Sequence, residues 1–201
     1  MYFKTVRKFQ SKHRIPHLVW EQILQKIRFS PSSFDLQPWR FFIIESEYNK
    51  AKLKKCLKGN IQQLETSSAM ILVCGDLEKT KWSSYIYEQK YLRKWINKEE
   101  KQKILAQINA HYQKMSLSKL TNEICFECGL IAAHLVVVSK DFGYNTCFIG
   151  GCDFDMLQKK LKINLNYLPI ILIAIGKEAL GEEKKKTNPF KLELKDFVTF
   201  L

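Results

Sequence analysis

The residues of this chain with the clearest chemical use stand in one run, Ser30-Pro31-Ser32-Ser33-Phe34-Asp35-Leu36-Gln37-Pro38-Trp39-Arg40-Phe41. Two small hydroxyl residues after a helical stretch leave backbone amides open to a flat ligand, and the side chains of Asp35 and Gln37 can reach the polar edge of a ring. A Pro-Ser-Ser triplet alone commonly serves as a turn; the full string running into a strand pattern carries more weight. A second run, Gly143-Tyr144-Asn145-Thr146-Cys147-Phe148-Ile149-Gly150-Gly151, ends in paired glycines. Such a pair is either a simple turn or bare backbone against which a ligand can lie.

Other chemistry is poorly represented. The chain has no G-x-G-x-x-G, P-loop, G-x-S-x-G or H-E-x-x-H signature, which speaks against a separate Rossmann site and a serine hydrolase. Cys125 and Cys128 form a lone C-x-x-C with only His134 near enough to join them, and a structural zinc ion takes four ligands. Both lie in an apolar helical pattern and read as reduced core thiols, so no metal site is expected.

The elements that must position these runs follow from periodicity. Apolar residues at 19, 20, 23, 24 and 27 mark a helix over Leu18 to Arg28, stopped by Pro31. Phe41 to Ile44, Met70 to Cys74, Cys147 to Ile149 and Pro169 to Ile175 read as strands. Ala51 to Leu57 and Phe154 to Leu161 read as short helices. A long helix is expected from Glu123 to Phe142, capped by Asn122 and closed by Gly143 in a left-handed conformation. Residues 79–120 read as an amphipathic helical excursion, a lid rather than core. Helices and strands mix with few tight hairpins, so the class is α+β or α/β, in one domain over residues 1–201.

The 201 residues are 46% hydrophobic, enough for a core and too many for a disordered chain. The longest apolar run, Ile124 to Val138, is broken by Glu127 and His134 and falls short of the roughly 20 residues that span a bilayer. With no charged segment leading into an apolar one at the start, a soluble, cytoplasmic protein without membrane contact is expected. The net charge of +13 fits a nucleic acid, an anionic surface, a phosphorylated small ligand, or simply a Lys-rich proteome. Between Lys79 and Lys119, ten basic and three acidic residues alternate with Trp82, Tyr85, Tyr87, Tyr91 and Trp95. These aromatics could stack on bases, but their helical spacing points to packing against a neighbour, and no nucleic-acid partner is expected.

The two runs together resemble the FMN-dependent nitroreductase family, in its branch of small NAD(P)H oxidoreductases. The most specific part is P-S-S-x-x-x-Q-P-W-R-F at 31–41. Glu123 to Gly143 is similar to the family's central helix, 143–151 to its G-x-x-T-C-x-I-G-G stretch, and Leu168 to Lys177 to its last core strand. The resemblance implies an α+β, sandwich-like fold with a mixed central sheet of about four or five strands flanked by helices. It also implies an intertwined homodimer with two FMN sites, each built from both subunits, and a C-terminal tail reaching across.

By the same resemblance Pro31, Ser32 and Ser33 line the flavin, with Asp35 where the family usually has Asn. Asn60 and Gln63 contact the pyrimidine edge, and Ile149, Gly150 and Gly151 bring a backbone N–H near flavin N5. The N-terminal basic-x-Ser-x-basic cluster is matched by Phe3-Lys4-Thr5-Val6-Arg7: Thr5 offers a hydroxyl, Arg7 a cation at N1/O2, and Lys4 is either a phosphate ligand or a surface residue. Lys191 matches a phosphate-binding Arg, without the bidentate fork. No side chain is assigned as a catalytic acid or base. The activity implied is NAD(P)H-dependent, two-electron reduction of nitroaromatics, quinones or similar flat electrophiles by a ping-pong cycle. The alternative is a flavin-binding sensor or carrier without turnover.

Overall fold

The computed structural model describes residues 4–180 and 190–201. Phe3 and residues 181–188 of the Lys/Glu-rich loop lie outside them. Among the described residues, Trp39–Ile44 (β1), Ala69–Asp76 (β2), Asn145–Ile149 (β3) and Tyr167–Gly176 (β4) form one sheet in the order β1-β2-β4-β3. The apolar runs read from the sequence are its strands. β2, apolar from Ala69 to Cys74, is buried along its whole length. Each pairing is antiparallel, where a mixed sheet was expected. Every connection between sheet neighbours returns to the end it left, so no strand pair needs the crossover that makes a parallel pair.

Side-chain alternation along the central strands gives the sheet two apolar faces. Ile71, Val73, Ile173 and Ile175 point to one face, where His17–Ile27 (α1) and the long helix pack through Trp20, Ile23, Ile131 and Leu135. Met70, Leu72, Leu172 and Ala174 point to the other, covered through Leu53, Leu64 and Leu157. These three belong to Glu47–Lys54 (α2), Ile61–Thr66 (α3) and Phe154–Leu161 (α7). Each fully buried Leu or Ile contributes about 1.5–3 kcal/mol, so both faces are needed to hold the sheet.

The excursion is a pair of helices, Ser83–Leu92 (α4) and Lys98–Gln113 (α5). Asn97 and Glu100 form a reciprocal capping box at the start of α5. Leu117–Asp141 (α6) follows, six residues longer at its start than the sequence pattern suggests. Ser116, not Asn122, caps it by accepting a hydrogen bond from the Lys119 N–H, because the 117–121 stretch continues the helix and carries Asn122 into its interior. Gly143 closes the helix at φ +77° as expected. α2 likewise begins at Glu47 behind a Ser46 cap and ends before Leu57, and α3 has too few residues to show a period.

By length and apolar content α6 is the sort of helix that crosses a membrane. Ile124, Cys128, Ile131 and Leu135 are instead fully buried in this structure, on the sheet. A Cβ on Gly75 of β2 would lie 2.0 Å from Ile124 Cγ2, so a bare residue lets the helix rest directly on the strand. That close approach sets the height at which Glu123 and Glu127 of α6 stand.

Candidate functional site

Ser30 to Gln37 leave α1 as a loop that no periodic pattern dictates. Phe34, Asp35 and Gln37 take positive φ of 52°, 53° and 51°. Non-glycine residues are rare there, and a backbone held in this way requires over-determination by its surroundings. The surroundings are visible. The Ser33 N–H donates to Glu127 Oε1 at 2.6 Å, Gln37 N–H to Ser32 Oγ at 3.0 Å, and Asp35 N–H to the Ser32 carbonyl at 2.9 Å. The loop amides at 33, 35 and 37 are therefore used within the protein, and for Ser33 this departs from the expectation that the amides of the two serines stand open, because a partly buried N–H must find an acceptor. What the loop presents outward is the exposed ring of Pro31 and the exposed Ser33 side chain.

Asp35 and Gln37 do not point freely to a ring edge either. Gln37 Nε2 donates to Asp35 Oδ1 at 3.1 Å, and Lys90 of α4 stands 2.8 Å from Asp35 Oδ2. The Tyr87 hydroxyl donates to the Phe34 carbonyl at 2.9 Å. Tyr87 is buried with Leu36 and Ile108 in a small core of the excursion's own, so α4 and α5 are clamped onto the loop. Trp82, Tyr85 and Trp95, by contrast, are exposed.

Beneath this loop lies a buried charge cluster that the sequence reading passed over. The Lys79 ammonium is fully enclosed between Glu123 and Glu127, with Glu127 Oε2 at 2.7 Å. The Tyr112 hydroxyl at the end of α5 donates to Glu123. Burial pushes the Glu123 carboxyl up, but the hydrogen bonds from Lys79 and Tyr112 outweigh it and hold the group below the usual carboxylate range. Burial, then the bond to Glu123, raises Tyr112 well above an ordinary phenol. Glu127 thus binds Lys79 with one oxygen and the Ser33 amide with the other. The available signal was an acid inside an apolar helix, read above only as an interruption.

The other expected residues gather elsewhere. Asn60 opens α3 at φ 57°, and Gln63, one turn on and buried, donates Nε2 to Asn60 Oδ1 at 3.0 Å. Burial raises the nearby Cys147 thiol, while Gln63 and Arg7 draw it back. Ile149 is buried at the end of β3. A Cβ on Gly151 would sit 3.4 Å from the Lys58 carbonyl and 3.8 Å from Asn60 Nδ2. Val6 N–H donates to the Thr146 carbonyl at 3.2 Å, which runs Thr5 and Arg7, both exposed, beside β3. Residues from three separated segments therefore gather along β3 and Gly151.

The model of the Nitroreductase family matches residues 4–177. This chain belongs to the nitroreductase family. YodC of Bacillus subtilis, a candidate NAD(P)H nitroreductase, is 31% identical over 173 residues, covering 86% of this chain and 84% of its own. A candidate NAD(P)H:FMN oxidoreductase of Staphylococcus epidermidis superposes with a TM-score of 0.93 at 30% identity, over 99% of this chain and 92% of that one. A candidate nitroreductase of Exiguobacterium sibiricum, solved in complex with FMN, gives 0.92 at 29% identity, over 99% and 93%.

Within this nitroreductase the expected site residues fall into two groups. Ser33 is bonded to α6, on the first face of the sheet, whereas Ile149 belongs to the core of the second, and Asn60 and Gln63 belong to α3, which covers that second face through Leu64. Lys4 pairs with Glu178, and Lys191 lies exposed on the tail. Phe190, Leu192, Leu194, Phe197, Phe200 and Leu201 of that tail are all exposed in the single chain. No three His, Cys, Asp or Glu side chains converge as a metal site among the described residues, and Cys125 and Cys128 are free thiols.

Proposed function

We propose that this oxidoreductase binds FMN and uses NAD(P)H for two-electron reduction of flat electrophiles, nitroaromatics and quinones among them. The observation that carries the reading is Gly150. Its φ lies outside the left-handed region, and a Cβ there would meet nothing nearer than Ile171 Cδ1 at 4.0 Å. Neither turn geometry nor packing calls for a glycine, so the bare backbone has its reason outside the protein, in a flat ring laid against it. The polar set beside it suits a flavin: the Asn60 and Gln63 amides for the pyrimidine edge, the Arg7 guanidinium for the charge gained on reduction.

Bound flavin supplies the hydride chemistry, and the chain supplies binding, orientation and electrostatics. Lys191, Thr5 and Lys4 would serve the phosphate, with Lys4 first leaving Glu178. Pro31, Ser32, Ser33 and Asp35 belong to the first face of the sheet and complete a site on a second copy of the chain. A homodimer supports that arrangement and covers the apolar tail, which one chain leaves exposed. The clamped excursion would cap this site. The donor gives up a hydride, two electrons and one proton; a quinone takes these and one solvent proton to become a hydroquinone. A nitro group takes the same equivalents, breaks one N–O bond and releases water. Nothing in the chain marks a second dinucleotide site, so donor and acceptor use one open face in turn. A soluble, cytoplasmic setting fits the reducing donor and the six free thiols.

The test is a spectrum of the purified protein followed by steady-state kinetics with a quinone and a nitroarene. A released chromophore with the spectrum of FMN, and parallel double-reciprocal lines at several acceptor concentrations, are expected. Intersecting lines would require a ternary complex. Bound flavin with no turnover would favour a carrier or sensor, and a colourless protein that does not take up added FMN would end the proposal.

A further inference from the structure

Between the Pro31-Ser32-Ser33 loop and α4 lies a groove of about 580 Å³, a size suited to a small organic ligand. Its charged lining residues are Arg28, Asp35, Lys90 and Arg93. Lys90 and Asp35 neutralise one another at 2.8 Å. The two guanidinium groups are differently placed. Arg28 Nη1 donates to Gln25 Oε1 at 2.8 Å, and Arg93 Nη1 to the Gln89 carbonyl at 3.1 Å and side-chain oxygen at 2.8 Å. Each is thus held by neutral acceptors, and neither meets a carboxylate at ion-pair distance among the described residues. Each also stands by an aromatic ring, Arg28 at 5.2 Å from the centre of Phe29 and Arg93 at 5.8 Å from that of Trp95.

We infer that this groove selects an anionic flat substrate, a ring bearing a carboxylate or phosphate, with Arg28 and Arg93 as the specificity-determining residues. Three exposed aromatic side chains, Phe29, Tyr85 and Trp95, offer faces to the ring. Two planar forks, already oriented by glutamines and carrying two uncompensated positive charges, offer the bidentate donors that an oxyanion accepts. A guanidinium held over an aromatic ring keeps its charge while losing rotational freedom, which lowers the cost of ordering it on binding. The groove shares Ser32 and Asp35 with the proposed flavin site, and the inference rests on that reading. The electron acceptor is the occupant assigned; the phosphate of the nicotinamide donor offers the same chemistry and is separated by experiment.

The acceptors to compare are 4-nitrobenzoate and its neutral analogue 4-nitrobenzyl alcohol, with protein saturated in FMN. Wild type is expected to favour the carboxylate in kcat/KM by about tenfold, and Arg28→Gln with Arg93→Gln together should bring that ratio to about one. A wild-type ratio near one, or an unchanged ratio in the double variant, overturns the inference while leaving flavin-dependent turnover intact. In a second arm, flavin bleaching by NADPH and by NADH is followed separately. An unchanged NADPH-to-NADH rate ratio in the double variant supports the acceptor; a fall of about tenfold in that ratio overturns it in favour of the donor phosphate. Calorimetric titration of flavin-free protein with 4-nitrobenzoate supplies a readout independent of turnover. Binding that weakens about tenfold in the double variant supports the groove even if the protein fails to take up FMN, and no heat in wild type counts against it.

Discussion

The two halves of the proposed site are held in place by different physics. Around Gly151 the work is done by backbone and neutral amides: a strand end, two glycines, and Gln63 bonded to Asn60. At the Pro31-Ser32-Ser33 loop, three non-glycine residues take positive φ, and the loop is held to distant parts of the chain by charged groups, Glu127 on the Ser33 amide and Lys90 on Asp35, and by the Tyr87 hydroxyl on the Phe34 carbonyl. The first half needs little beyond its own strand and helix. The second is strained, and it keeps its shape only while Glu127, Lys79, Tyr112 and Lys90 hold it. A loop supported in this way is tied to the excursion: whatever moves α4 and α5 moves the residues proposed to line the flavin.

Breaking the ionic half should have the largest effect. Glu127→Ala leaves Lys79 buried with one carboxylate and Ser33 without its acceptor, and should cost about 3–5 kcal/mol in chemical denaturation. Glu127→Gln keeps an acceptor for Ser33 and should cost less, with the loop retained. Equal losses for the two variants would mean that the charge, and not the hydrogen bond to Ser33, maintains the loop.

The neutral half should respond in the opposite sense, losing ligand without losing stability. Gly150→Val places its side chain in open space and should leave the melting temperature close to wild type. Flavin affinity should fall roughly a hundredfold, about 2.7 kcal/mol, measured by fluorescence titration with FMN. A variant that binds FMN normally would remove Gly150 from the site, and one that unfolds would show that the glycine serves the fold.

The smallest expected difference is in acid. Glu123 is held below the ordinary carboxylate value of 4.5, so its contribution to stability is fully present above that value and is lost as pH falls through the lower folded one. Melting temperatures of wild type and Glu123→Gln should therefore run apart at pH 6 and converge as the pH falls below the ordinary carboxylate value of 4.5. Parallel curves across that range would show that the carboxyl is not held down by Lys79 and Tyr112.

Periodicity made most of the strands and the helices α1, α6 and α7 legible, because a residue buried on one face of a strand or helix recurs at a spacing set by local geometry. α3 escaped notice because six residues cannot show a period, and the start of α6 was misplaced because two residues, Ser116 and Asn122, could each cap it. The resemblance carried the family, and it is what points to both halves of the proposed site. It did not reveal the enclosed Lys79 or the occupied Ser33 amide, since those depend on residues 44 to 94 positions apart.

By itself, then, the sequence determined the family, the apolar runs that become the sheet, and the glycines and amides of the neutral half, since each of these rests on local geometry or a contiguous motif. Only the tertiary structure decided that the two halves lie against opposite faces of one sheet, and that a buried lysine ties the excursion to the loop. Alternation puts neighbouring residues on opposite faces, but which helix covers which face is settled by chain connectivity and by close approaches such as Gly75 beneath Ile124. A buried charge leaves no periodic trace, because its cost is offset by partners that only folding brings together.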